Sequence, residues 1–322
     1  MADLKSLRKR IGSVKSTQKI TRAMKMVAGA RLAKAQQRIL ALRPYAVQTS
    51  AILSEVVTSV SSGEGMTEPS GVDAEHPLLA RRPEKNVLYL VVTSDRGLCG
   101  SFNSTLNKAA ERGWKEVAAE GDREDETGPA GKAIGRATES GRTVRFAVIG
   151  RKGRDYLRRR NAPIFHVFEG VWEKLGPEQA RNIARVILKP FVAGEVDAVY
   201  LVYNEFKSAM SQKVVFEPLF PLSSAVRGAE HGGGDLAGFT FEPNKSRILE
   251  HLVPMYVETT ILRALYESTA SELGARMTAM DSATKNASEL MDKLTLKYNR
   301  ARQAAITTEI MEIIGGAEAL KG

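Results

Sequence analysis

Apolar residues recur every three or four positions from Leu4 through Leu7, Ile11 and Val14, then from Met24 through Ala28, Leu32, Ala35, Ile39 and Leu42. Those steps describe one face of an amphipathic helix. Polar Gln18 and Thr21 interrupt the face, Gly29 weakens it locally, and Pro44 either kinks the helix or breaks it. Beyond Pro44 the chain stays helix-compatible to about Val60, ahead of the string SSGEG. At the other end, alternating steps of four and three begin at Leu252 and Tyr256. They continue through Met277, Met280, Thr284, Ala287 and Met291 to Tyr298 and Thr308, and thirteen of the seventeen positions are apolar or aromatic. A 3.5-residue repeat held this long predicts a left-handed supercoil. The expected helix runs from Pro254 to Ile314, about 60 residues or about 90 Å. Few domains are that wide, so the helix is expected to project from its own domain.

The centre has another rhythm. NVLYLVVTS (86–94), TVRFAVIG (143–150), IFHVF (164–168) and DAVYLVYNEF (197–206) have the composition of buried strands. Helical patterns alternate with them at 102–119, 151–160 and 177–194. QKVVFEPLFPL (212–222) adds an edge strand limited by Pro218 and Pro221. Residues 120–142, Gly-rich and charged, predict an insertion, and 227–238 a second loop. The expected fold is therefore a central α/β domain with a small Rossmann-like sheet, plus a long antiparallel left-handed coiled coil of the two terminal helices. Its boundaries fall at 1–60, 61–243 and 244–322.

Composition sharpens this picture. Hydrophobic content of 43% suffices for a core, while 6% aromatic suits helical seams built from Leu, Met, Ile and Ala. The net charge of +10 is unevenly spread: residues 1–43 hold twelve Lys or Arg and one acid, Asp3. Such a segment suits nucleic acid, anionic lipid or an acidic protein surface. A single cysteine, Cys99, excludes an intrachain disulfide and a multi-cysteine zinc site. No run of 18 apolar residues is present, and the N-terminus lacks the apolar middle of a secretory signal. It is Arg-rich and acid-poor like a mitochondrial presequence, but its helical pattern continues far beyond one.

Candidate chemistry is sparse. TSDRGLCGSFN (93–103) follows a strand and precedes a helix, as a phosphate loop would, yet it matches neither glycine-loop fingerprint. The expected alternative is a tight turn in which Gly97 and Gly100 relieve the backbone while Asp95 caps a helix or pairs with Arg96. Cys99 has no base nearby in sequence and reads as a small buried thiol. His76, His166, His231 and His251 are scattered and have no metal-ligand spacing. GRKGRDYLRRRN (150–161) reads as a solvated basic helix start or an anion site. A basic coiled-coil nucleic-acid binder is the main alternative function, although here cations and small apolar residues share one stretch instead of a basic region preceding a zipper.

Three strings, KSLRKRIGSVKSTQKITRAMKMVAGARLAKAQ, VTSDRGLCGSFN and YNRARQAAITTEIMEIIGGAEAL, resemble in order the gamma subunits of F-type ATP synthases. The resemblance implies a non-catalytic central-stalk rotor without cofactor or metal. Its coiled coil would stand inside a ring of alpha and beta subunits, and its α/β domain would meet the epsilon subunit and the c ring. Turning would couple proton flow to ATP synthesis or hydrolysis at the cytoplasmic face of a bacterial inner membrane, with no nucleic-acid partner. It implies that Met24 and Lys25, with Arg302, Gln303 and Thr307 on the facing helix, lie at the catch against a beta subunit. It also places Ile310, Ile313, Ile314, Ala317 and Leu320 in the upper bearing of the ring. Two features depart from the family: the long 120–142 insertion, and the lack of the cysteine pair that switches the chloroplast type.

Overall fold

The computed structural model describes residues 2–61, 82–120, 142–222 and 245–319; most of the expected insertion at 120–142, the loop at 227–238 and Leu320 lie outside them. Helix α1 spans Ala2–Ser61 and the last helix, α5, spans Lys245–Ala319. Between them lie β1 (Asn86–Val92), α2 (Phe102–Glu120), β2 (Thr143–Ile149), α3 (Arg151–Arg158), β3 (Ile164–Phe168), α4 (Pro177–Val192), β4 (Ala198–Phe206) and β5 (Gln212–Phe220).

Pro44 does not end α1. A proline removes one helical N–H bond, but Leu40, Pro44 and Tyr45 are exposed, so water can serve the freed carbonyl. Just beyond, the buried Thr49 and Leu53 anchor the helix. α5 starts at Lys245 rather than Pro254, because Leu249, Leu252 and Val253 are buried and hold the turns around the proline in place. It also runs past Ile314, through Gly315 and Gly316.

The described chain forms two compact units, one of residues 1–31 with 276–322, the other of residues 32–275. Both boundaries fall inside the long helices.

In the first unit α1 and α5 pair antiparallel. Thr21 meets Thr284 at 2.8 Å, Lys25 meets Asp281, and Gly29 lies beside Met277, so numbers rise on one helix as they fall on the other. Leu7, Val14, Thr21 and Ala28 are buried or half-buried at seven-residue steps, opposite Met280, Thr284, Ala287, Met291 and Leu294. Gln18 and Thr21, which interrupt the apolar face, therefore occupy seam places. The cations Lys5, Arg8, Lys9, Arg10, Lys15, Lys19 and Arg22 all face outward.

In the second unit a five-stranded sheet has the order β3-β2-β1-β4-β5, parallel except for β5. This is doubly wound topology. The pleat sends Leu88, Leu90, Val92, Val199 and Leu201 to one face, where they meet Ile183, Ile187 and Phe191 of α4 and Val253, Val257, Ile261 and Leu265 of α5. It sends Val87, Tyr89, Val91, Phe146 and Val148 to the other, against Leu106 and Ala110 of α2 and Leu157 of α3. The IFHVF segment, which reads as a buried strand, is instead a sheet edge. Only β2 pairs with β3 among the described residues, and Phe165 and His166 are exposed.

Candidate functional site

Doubly wound sheets bind ligands at the carboxyl ends of their strands, in the crevice where the strand order reverses. Here that crevice lies between β1 and β4. The loop Thr93–Asn103 leaves β1 at its rim, and its polar groups are turned inward. The Ser94 N–H donates to Asn103 Oδ1 at 3.0 Å, and the Asn103 amide donates to Ser94 Oγ at 2.8 Å and to Cys99 Sγ at 3.2 Å. The start of α3 is bonded to the same loop: Arg151 N–H donates to Asp95 Oδ1 at 2.8 Å, Lys152 N–H to Ser94 O and Gly153 N–H to Thr93 Oγ1. A phosphate loop would offer those N–H groups to its ligand. Asp95 therefore caps α3, and the left-handed residues of the turn are Leu98 (φ 64°) and Gly100 (φ 55°), where Gly97 and Gly100 were the expected pair. Cys99 is buried, as a small structural thiol would be.

α5 fills the crevice itself. The buried Ser268 directs its hydroxyl at Val92 O (3.5 Å), and Ser271 donates to Asn204 O at 3.0 Å, so the helix touches the ends of both β1 and β4. A Cβ on Gly274 would lie 3.1 Å from Ala209 Cα and 3.2 Å from its carbonyl oxygen. The small residues at 268, 271 and 274 let the helix backbone occupy the space a nucleotide would need. Their spacing was readable in the sequence, although nothing there said what they pack against.

The basic string 150–161 is partly neutralised. Arg154 pairs with Asp155 and Glu169, and Arg160 Nε lies 2.8 Å from Glu111 Oε2 while its guanidinium stacks 3.6 Å from the Tyr156 ring. The Tyr156 hydroxyl donates to Glu111 at 2.6 Å and Lys115 adds a third partner, which together bring the Glu111 carboxyl down to about 2. Burial and the same carboxylate push Tyr156 up to about 12. Between α5 and the outer strands, Arg263 pairs with Glu217, which also accepts from Tyr203 at 2.8 Å. Glu267 Oε2 is buried there without a hydrogen-bond partner, and burial raises that carboxyl above its usual range.

The residues implied by the family resemblance lie in the first unit, at separate levels. Met24 and Lys25 are half-buried; Arg302, Gln303 and Thr307 are exposed. Lys25 stands opposite Asp281, and Arg302 lies about 30 Å farther along α5 at 1.5 Å per residue. Met24 and Lys25 therefore stand at one level of the helix pair, and Arg302, Gln303 and Thr307 at another. Lys25 Nζ is 2.5 Å from Asp281 Oδ1, whose partner oxygen meets Lys285 at 3.2 Å; hydrogen bonds from both lysines lower the Asp281 carboxyl below its ordinary value. Asp281 was missed from the sequence, where its i,i+4 spacing to Lys285 was the one visible signal. Ile310, Ile313 and Ile314 are exposed at 50%, 71% and 55%, as is Ala317, while Leu320 lies outside the described residues. Among the described residues no helix is long and apolar enough to cross a membrane, and no cluster could hold a metal ion.

Fold and surface define a class: a doubly wound sheet whose crevice its own helix fills, combined with an antiparallel pair of terminal helices that expose charge and apolar side chains along their length. A family profile described as ATP synthase matches residues 3–320, and the chain is 54% identical to the ATP synthase gamma chain of Sorangium cellulosum and 44% to that of Anaeromyxobacter sp. strain K, across the whole of each pair. The chain belongs to the ATP synthase gamma-chain family. Its fold is shared by the central stalk of the Tetrahymena thermophila mitochondrial ATP synthase (TM-score 0.56, 23% identity, 82% of this chain and 99% of that one). It is shared too by the Euglena gracilis rotor (TM-score 0.58, 18% identity, 95% and 99%).

Proposed function

We infer that this chain is the central-stalk rotor of an F-type ATP synthase. It carries torque between a membrane c ring and an alpha/beta catalytic ring and performs no bond chemistry itself. The observation that carries the reading is the full-length match to gamma chains, on a chain whose terminal helices form the antiparallel pair such a shaft requires. The alpha and beta subunits, the epsilon subunit and the c ring are its partners, at the cytoplasmic face of a bacterial inner membrane.

A shaft must fit its sleeve without adhering to it. Exposed ion pairs are worth about 0–1 kcal/mol each and exchange easily. The outward cations of α1 can follow acidic beta-subunit surfaces through a turn without creating a deep well at any one angle. Met24 and Lys25 form one contact level with a beta subunit, and Arg302, Gln303 and Thr307 another. Ile310, Ile313, Ile314 and Ala317, with Leu320 beyond them, enter the upper bearing.

The test is assembly. Expressed with the alpha and beta subunits of its own complex, the chain is expected to co-purify with them as one copy to three of each and to sustain ATP hydrolysis. An alpha/beta complex that excludes it at every salt concentration overturns the reading.

A further inference from the structure

The seam between α1 and α5 in the first unit is mostly apolar, with Leu7, Ala28, Met280 and Ala287 buried in it. At one level polar groups cross it. Thr21, 8% exposed, shares a hydrogen with Thr284 across 2.8 Å. The second hydroxyl proton of the pair goes to a helix carbonyl, at Gln18 or Met280. One turn along, Lys25 and Asp281 meet at 2.5 Å, and Lys285 covers the other carboxylate oxygen.

Apolar seams of Ala, Met and Leu tolerate sliding, because one such contact resembles the next. Polar pairs do not. A slip of seven residues would set Thr21 against Met277 or Met291 instead of Thr284, and Lys25 against Gly274 or Ser288 instead of Asp281. Each alternative sets a seam hydroxyl beside a thioether in place of its partner hydroxyl and leaves the ammonium without its carboxylate. Among registers a whole number of heptads apart, only the observed one satisfies both pairs.

We propose that Asp281 is a positioning residue that acts through Lys25, with Thr21–Thr284 beside it, to fix the longitudinal register of the two helices. The clasp itself follows from this chain's geometry. Its consequence, that torque passes between the helices without slip, rests on the rotor reading above.

Thr21→Cys and Thr284→Cys, in a full chain carrying Cys99→Ser, make a ruler, because a disulfide closes only when the two Cβ atoms sit about 4 Å apart. With Lys25 and Asp281 intact, closure under a fixed oxidant is expected to be fast. Asp281→Lys slows it about ten-fold, and the uncharged Asp281→Asn about three-fold. The exchanged pair Lys25→Glu/Asp281→Lys restores it to within about two-fold of the starting rate. Equal rates in all chains overturn the proposal, and so does an exchanged pair as slow as Asp281→Lys alone. In the assembled synthase, without the added cysteines, Asp281→Lys lowers the protons pumped per ATP. A chain that passes the cross-linking test but never joins alpha and beta subunits refutes the rotor reading and leaves the clasp standing.

Discussion

A chain ending at Gln303 will keep its sheet domain and lose its coupling. Residues 304–319 belong to the helix-pair unit, and none of their described side chains is buried. Their removal takes no core side chain from residues 32–275, so the unfolding free energy of that domain should move by less than about 0.5 kcal/mol. What is removed is a dense set of exposed apolar residues: Ile306, Ile310, Met311, Ile313 and Ile314, each 47–71% accessible. A patch of that kind marks a surface that another protein covers. Covering a side chain of that size contributes about 1.5–3 kcal/mol when complete, enough for five of them to centre the end of a shaft. In the assembled complex, proton-driven ATP synthesis is therefore expected to fall by about ten-fold or more, the equivalent of about 1.4 kcal/mol or more. Synthesis at the full rate by the truncated chain would contradict the role given to this end.

Gly150→Val will cost more stability than any other single change considered. Gly150 follows β2 at φ 92°, a conformation that a β-branched residue adopts only under strain. A Cβ there would lie 2.2 Å from the Thr93 carbonyl oxygen and 2.8 Å from its carbon. Those are backbone atoms of the neighbouring loop and cannot rotate aside. The same carbonyl accepts the Trp172 indole N–H at 3.0 Å, and the adjoining Thr93 hydroxyl holds the start of α3. The substitution therefore separates β1–α2 from β2–α3 at the carboxyl edge of the sheet. The expected loss is about 4 kcal/mol or more, by backbone strain together with broken buried hydrogen bonds. Urea unfolding followed by tryptophan fluorescence checks it, since Trp172 reports on this junction. A midpoint within experimental error of the unsubstituted chain would show that the turn is far softer than its geometry implies.

How much of this was legible in the residues differs between the two ends of the same helix. The alternating four and three steps of α5 name positions that are buried or half-buried from Leu252 to Ala305, with only Thr308 exposed. The same steps did not reveal that the helix changes role along its length. In residues 285–305 about two places per heptad are covered, as in a coiled-coil seam. In residues 249–275 most of the circumference is covered, because the sheet, α4 and α1 surround it. A periodicity finds the face that is always buried and says nothing of how many others join it. Strand positions were readable from Val, Tyr and Phe content. Strand order was not, which is why IFHVF reads as interior and sits at an edge. The glycine loop was recognisable as a turn, but the partners that tie it to α3 and β2 lie 50 or more residues away. Lys25 illustrates the same limit. Its charge was plain, whereas its pairing with Asp281 depends on a register that two separate helices set together.

The decisive measurement is to watch the chain turn. Met210, 86% exposed at the turn between β4 and β5, accepts a cysteine label, and Cys99 is buried away from the reagent. With the alpha and beta subunits immobilised and a bead on Met210→Cys, added ATP is expected to drive continuous rotation of the bead in a single direction. ATP hydrolysed at the full rate beneath a bead that only fluctuates in place would mean that this chain is not the moving part.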